Sequence, residues 1–560
     1  MQNKEITEEN IELHEHAVSS EESNNNQAAS LMMKGVTILA VAGIVSKVFG
    51  AIFRIPLTNL IGAEGQSYYG LAYPIYQFFF TIASAGFPIA VSRMVSERVA
   101  KGDYINAQKS FSTALKATMV ICTVSFCICF FGADFIAEFQ RNPGAAASIR
   151  AVSIAILFTS VVASLRGYFQ GHQNMLPTAV TEVIEQITRV AVGLGLAVAF
   201  YKTNLERAAA GATFGASAGM IAAMIALIII YRKDTENRSE RLKTSVIIKE
   251  SNKERFREML GIVIPITIGS SIMPLVMIID GAIIMRRLLA TGWSFAESKT
   301  LYGLISGFCD PLVNMPIIFI EAVCISLMPA VTRAFTLDDK RSVDKNISTG
   351  LKTMMIISYP CAVGLFVLAK PILHLLYPMK IQEADMAVHT LQILAISVIT
   401  LSIMRILSTS LQGVGQMVIP VVNLAAGAVC KIVLTFSLTG VRALNINGAA
   451  IGTVTTFLVA GLLNYRALRK HADVRIDLKD IFVKPLISSL VMGVITWIVY
   501  KAFFMIIHSN AVATLISIII AVLIYFFMVF KTGVLTRDEI ELIPKGEVLY
   551  KLASKLKITE

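Results

Sequence analysis

Two cations sit where a membrane-crossing helix should carry none. Lys47 and Arg54 fall inside the apolar run that starts near Leu31. They are seven residues apart, so on a helix they share a face to within about 20°. A charge facing lipid is costly, which places that face against a cavity or a partner. Arg offers a planar fork and Lys a point charge, and both suit a phosphate group. The bland alternative is that one of them snorkels to an interface or pairs with an acid elsewhere. Pro56 is expected to kink or end the helix just beyond Arg54.

The other candidates lie in later apolar runs. Glu185 and Arg189 are spaced as an i,i+4 pair on the fifth, with Glu182 one turn earlier. Such a ladder is either a structural ion pair or a site of proton or cation coupling. Asp280 lies on the seventh run, and Asp310, Asn314 and Glu321 on the eighth. Their spacing puts the last three on one face, where they could answer the cations of the first run across a central cleft. Asp280 could instead cap its helix near Arg286 and Arg287. Arg166 and Arg405 read as snorkelling side chains, whereas Lys431 lies deeper.

Several function classes are excluded. No Gly-rich phosphate loop, His/Cys metal spacing or Ser/His/Asp layout is present. The expectation is a protein that is not an enzyme and carries no metal or other cofactor. No extramembrane segment is long enough for a nucleotide-binding domain, so a pump driven by its own ATP hydrolysis is not expected. The seven cysteines all fall in apolar runs and read as packing residues. A net charge of +12 would suggest nucleic acid in a soluble chain. Here it reflects Lys and Arg in loops on one side of a membrane, and no nucleic-acid partner is expected.

The elements that must position these residues are membrane helices. Hydrophobic residues make up 55% of the 560 and charged residues 16%, and mean hydropathy is +0.67. The length rule for a span gives about 14 crossings. The chain divides into a disordered cytoplasmic tail (1–30), an N-lobe of six spans (31–235) and a cytoplasmic linker (236–256). A C-lobe of six spans (257–470), two further spans (471–534) and a second cytoplasmic tail (535–560) follow. Loop charge sets the orientation. Arg93, Arg98 and Lys101, the run from Arg232 to Arg257, and Arg466 to Lys479 share one side if the N-terminus is cytoplasmic. Arg286, Arg287 and Lys299 are the exception.

An internal repeat supports two lobes. Gly211-Ala-Thr-Phe-Gly215 is matched by Gly448-Ala-Ala-Ile-Gly452, and Tyr231-Arg232 by Tyr465-Arg466. Gln170-Gly171 then Pro177 is matched by Gln412-Gly413 then Pro420, and Tyr69-Gly70-Leu71 by Tyr302-Gly303-Leu304. Six spans per unit is an even number, so the two units run parallel, which is one of the known transporter plans.

The early part of the chain also resembles a known group. Gly62-Ala-Glu-Gly65, Tyr73-Pro-Ile-Tyr76 and Ala85-Gly-Phe-Pro-Ile-Ala-Val-Ser-Arg93 resemble the polysaccharide-exporter branch of the multidrug/oligosaccharidyl-lipid/polysaccharide flippase superfamily. Ser46-Lys47-Val-Phe-Gly50 and Arg54 resemble the first helix of MurJ-type lipid II flippases, with greatest similarity to the stage V sporulation protein B and YtgP type. The resemblance implies an all-α, V-shaped bundle with its cavity between spans one, two, seven and eight. It also implies outward flipping of an undecaprenyl-pyrophosphate-linked wall precursor, with Lys47 and Arg54 as the cavity cations. Such a protein serves wall synthesis and cell shape, in growth or sporulation, in the bacterial plasma membrane with both termini cytoplasmic. Its partners would be the lipid-linked oligosaccharide, membrane lipids and cell-wall synthesis machinery, and it would work as a monomer. Transport would draw on the membrane potential or a monovalent cation. A drug or cation antiporter of the same fold, or a flippase for another polysaccharide precursor, is the alternative. The family pattern has an Arg and a Glu in the eighth span before a Pro. Here those positions are Pro311 and Asn314, with Asp310 beside them, which leaves more of the binding to the first helix.

Overall fold

Among the described residues every regular element is helical. The computed structural model describes residues 2–534 apart from 247 and 475–478, and describes side chains from residue 38 onward apart from 40 and 237. The expected tail at 535–560 lies outside the described residues. In chain order the helices are α1 (Gln2–Ser84), α2 (Gly86–Ala100), α3 (Tyr104–Phe131), α4 (Ala133–Phe139), α5 (Ala145–Gly171), α6 (Leu176–Tyr201) and α7 (Leu205–Lys233). Then come α8 (Thr235–Lys243), α9 (Asn252–Ala290), α10 (Phe295–Gly303), α11 (Asp310–Asn314), α12 (Ile317–Thr336), α13 (Lys340–Val367) and α14 (Ala369–Leu376). The last are α15 (Ile381–Gly413), α16 (Ile419–Thr439), α17 (Asn447–Ala472), α18 (Lys484–Ile507) and α19 (Asn510–Lys531).

Among the described residues 13 helices are long and apolar enough to cross a membrane, and the first such stretch, Val41–Ala100, is 60 residues long. It is two crossings joined at Gly62, so the expected count of about 14 stands. Gly62 has φ 64° and ψ −170°, a conformation open essentially to glycine alone. Two expectations are corrected here. Pro56 does not end the helix, which continues through it to the break at Gly62, six residues later. Residues 2–30, expected to be disordered, are helical and continuous with the first crossing. No Gly or Pro precedes Gly35, and Glu, Gln and Ala are strong helix formers.

Helix starts are set by side chains. Ser251 and Ser294 each form a capping box, with Glu254 and Glu297. Asp103 accepts from the Asn106 amide at 3.0 Å and Asp339 from that of Ser342 at 3.0 Å. Pro177, Pro420 and Pro485 stand in the first turns of α6, α16 and α18, where the missing N–H is no loss.

The sequence repeat has a packing reason. Without a hydrophobic drive between helices in lipid, small residues are what let backbones meet. A β-carbon at Gly215 would lie 2.6 Å from the Arg189 carbonyl oxygen, and one at Gly219 would lie 2.5 Å from that of Glu185. In the second half, a β-carbon at Gly427 would lie 2.4 Å from the Thr456 oxygen and one at Gly448 would lie 2.5 Å from the Thr439 nitrogen. The glycines thus seat α6 against α7 and α16 against α17. Helices α1 to α7 pack chiefly on one another, and α12, α13 and α15 to α17 form a second set. Helices α18 and α19 lie against α13 and α14. The halves meet where α1 and α2 touch α9, α10 and the π turn at Leu304–Cys309.

Candidate substrate site between the two halves

The interface has three levels. At the Gly62 end the chain reversal is pinned by the second half. The Ala63 amide donates to Glu383 Oε2 at 2.6 Å, and Asn59 Nδ2 donates to the Leu376 oxygen at 2.7 Å. Lys299 pairs with Glu64 and donates to Tyr68 Oη at 2.9 Å. Gly303 lies so close that a β-carbon there would be 1.7 Å from the Ala63 oxygen.

At the opposite end Arg98 closes onto the second half. It pairs with Glu250 and, at 2.8 Å, with Glu258. Arg255, fully buried, bridges Glu250 at 3.2 Å and Asn106 Oδ1 at 2.9 Å. The stretch before α9 is tied down too, with the Val246 amide on the Gly102 oxygen at 2.9 Å and Asn106 Nδ2 on the Ile248 oxygen at 2.7 Å.

Between these ends lie the intramembrane charges. Lys47 pairs with Glu321 of α12, across the halves, as the shared-face argument allowed. Arg54 has no acid. Its Nη1 donates to the Ser306 carbonyl oxygen at 2.8 Å, and its guanidinium carbon lies 5.4 Å from the Tyr69 ring centroid and 5.8 Å from that of Tyr73. Ser306 belongs to the π turn, a form that leaves carbonyls off the i−4 ladder and recurs at functional sites. The next carbonyl, of Gly307, accepts from Thr58 Oγ1 and Tyr377 Oη, both at 3.2 Å.

The remaining sequence candidates fall out differently from their spacing. Glu185 pairs with Arg166 of α5 at 3.0 Å, not with Arg189. That also corrects Arg166, which is bound within the first half rather than snorkelling. Arg189 Nη2 instead donates to Tyr69 Oη at 3.0 Å, and its guanidinium lies 5.2 Å from the Tyr73 centroid and 5.7 Å from that of Phe53. The i,i+4 rule gives way because a tertiary cation is better placed for Glu185. Asp280 does not cap α9 near Arg286. It pairs with Lys431 at 2.9 Å and accepts from Thr435 Oγ1 at 2.9 Å, all three buried. Asp310 and Glu182 are half-buried with no ion pair among the described residues, and Asn314, Glu321 and Arg405 are exposed. Asp310, Asn314 and Glu321 do not act as one face, since the helix is interrupted at Met315 and Pro316, between Asn314 and Glu321.

Sequence reasoning missed both closures and the aromatic cage. Lys299 had one signal, as a cation among loops otherwise poor in them. Its companions are also bound, Arg286 to the Phe139 oxygen at 3.1 Å and Arg287 to that of Phe436 at 3.0 Å. Among the described residues no group of three or more His, Cys, Asp or Glu could hold a metal ion. The cysteines are all free.

Comparison with known proteins places this architecture. The family profile described as polysaccharide biosynthesis protein matches residues 32–335, more than half of the chain. The chain belongs to the polysaccharide biosynthesis protein family. A second profile, MatE, matches residues 305–437. Among its relatives, lipid II flippase MurJ of Bacillus subtilis (strain 168) is 27% identical over 84% of this chain and 88% of that protein. Stage V sporulation protein B of the same strain is 25% identical over 81% and 86%. A solved structure of lipid II flippase MurJ in an inward closed conformation superposes with a TM-score of 0.63, at 16% identity, covering 88% of this chain and 98% of that one. This member of the family is a multi-pass, all-α membrane protein.

Proposed function

We propose that this protein moves lipid II, an undecaprenyl-pyrophosphate-linked wall precursor, from the inner to the outer leaflet by alternating access. The observation that carries the reading is Arg54, a guanidinium at membrane depth, between the halves, with no carboxylate partner among the described residues. Such a group is fit to meet an anion that arrives from elsewhere. The family match and the MurJ relative support the cargo class. The polyprenyl tail stays in lipid while the pyrophosphate-sugar head crosses between the halves. With the termini cytoplasmic, the Arg98 end faces the cytoplasm and the Gly62 end faces outward. An inside-negative potential favours outward movement of an anion by about 2.3 kcal/mol per charge per 100 mV. Membrane potential or a monovalent cation is then a sufficient energy source, and neither enzyme chemistry nor a cofactor enters. Wall building in growth or in sporulation is the setting, and the relative named for sporulation supports the latter. The protein acts as a monomer beside the wall-synthesis machinery.

The test is depletion in cells, followed by assay of inner-leaflet precursors. Accumulated lipid II supports the reading, and accumulation of a different precursor assigns a different polysaccharide cargo. The MatE match and the unpaired Asp310 favour a second reading, cation-coupled drug antiport. Retention of cationic dyes with no precursor accumulating would establish that one instead.

A further inference from the structure

Arg54 and Arg189 come from different helices, α1 and α6, yet they address the same two rings. Tyr69 and Tyr73 stack with centroids 5.7 Å apart and planes 12° apart. Arg54 lies 5.4 Å and 5.8 Å from the two centroids, while Arg189 lies 5.2 Å from Tyr73 and donates to Tyr69 Oη at 3.0 Å. The other intramembrane cations around them are answered: Lys47 by Glu321, Arg166 by Glu185 and Lys431 by Asp280. Among the described residues neither Arg54 nor Arg189 has a carboxylate within ion-pair distance. Both are half-buried, as is Tyr73.

Two guanidiniums on one aromatic pair repel each other. Ring faces return only about 0.5–2 kcal/mol each, less than the cost of holding a cation away from water. A structural ladder would have used Glu185, one turn from Arg189. The fold gives that acid to Arg166 and leaves Arg189 its charge. What satisfies this arrangement is an anion with two charged centres.

We infer that Arg54 and Arg189 together form the seat for a lipid-linked pyrophosphate, one planar fork per phosphoryl group, with Tyr69 and Tyr73 fixing both forks. The inference rests on the proposed reading that the cargo carries a pyrophosphate, and it adds Arg189 as the residue that selects pyrophosphate over monophosphate. Lys47 lies outside the seat, engaged with Glu321. Binding also draws Arg54 from the Ser306 carbonyl, so occupancy loosens α1 from the π turn.

The test uses the full chain in lipid nanodiscs, with farnesyl pyrophosphate, farnesyl phosphate and inorganic pyrophosphate as probes. The wild type binds farnesyl pyrophosphate about tenfold or more tighter than farnesyl phosphate, as one additional charge-assisted fork implies. Arg189→Gln collapses that ratio by weakening the pyrophosphate arm, while Lys47→Gln preserves it. Arg189→Lys keeps the charge, loses the fork and falls between, which covers the case in which Arg189→Gln does not fold. A purely structural Arg189 would weaken both probes alike. An unchanged ratio in folded Arg189→Gln or Arg189→Lys overturns the inference and leaves the proposed function standing. Inorganic pyrophosphate binding as tightly as the farnesyl form overturns the lipid-linked part. A wild type that binds neither farnesyl probe overturns the proposed function and this inference with it.

Discussion

Arg54 of the first half donates to the backbone oxygen of Ser306 in the second, at 2.8 Å. A side chain that would otherwise need an anion is held by a carbonyl that the π turn releases. Arg54→Ala is expected to abolish complementation of a flippase-depleted strain while the protein still inserts. Lys47 is already engaged by Glu321, whereas Arg54 keeps its charge for an incoming anion. Lys47→Ala should therefore be the milder change. Normal growth of the double Arg54→Ala, Lys47→Ala variant would remove both from the mechanism.

Gly303 has no room for a side chain. Its β-carbon would meet the Ala63 oxygen at 1.7 Å and the carbonyl carbon at 2.5 Å, both backbone. Gly303→Ala should part the halves at the Gly62 end, at a cost of about 1–3 kcal/mol typical of overpacking. The readout is the yield of a short bifunctional-maleimide crosslink between cysteines placed at Glu64 and Lys299, whose side chains meet tip to tip. It should fall in the alanine variant, and an unchanged yield would contradict the close approach.

Lys431 and Asp280 are a buried pair, with 10% and 12% of the side chains exposed. Removing one partner strands the other. Lys431→Gln should destabilise the protein by about 3–5 kcal/mol, and adding Asp280→Asn should recover most of it. Thermal unfolding of the purified protein distinguishes this from an additive outcome, which would mean that the pair carries no coupling.

Glu250 belongs to the closure at the other end. Burial alone would raise its carboxyl, but the Arg98 hydrogen bonds and charge, with Arg255 behind them, outweigh burial and hold it below the usual 4.5. A lowered carboxylate contributes stability that is present above its unfolded pKa and lost as pH falls through the folded one. The closure should therefore be insensitive to pH from neutrality down to about 5. Glu250→Gln should loosen it at every pH, seen as faster hydrogen exchange in residues 245–250. A closure that titrates between pH 6 and 8 in the wild type would point to another group.

The spans, the family and the intramembrane cations were all legible in the chain, because apolar length and misplaced charge are local signals. Partner choice was not. Glu185 has Arg189 one turn away on its own helix, yet it pairs with Arg166 across to α5. Asp280 has arginines on its own helix but meets Lys431 on α16. Helical spacing states which residues could meet, and tertiary packing decides which do. The π turn left no sequence mark, so the carbonyl of Ser306 that holds Arg54 could not be foreseen, and the break at Met315 and Pro316 upset the count from Asp310 to Glu321.

Two guanidiniums with no carboxylate among the described residues also bear on the state of the empty protein. No such pair stays dry inside a membrane, so water must stand around Arg54 and Arg189 whenever cargo is absent. A wetted passage reaching both faces would conduct protons and small ions. On the proposed transport cycle, the ion-paired closures around Glu64 and Arg98 would then serve as electrical insulation: whichever one yields to admit cargo, the other must keep the column of water from becoming continuous.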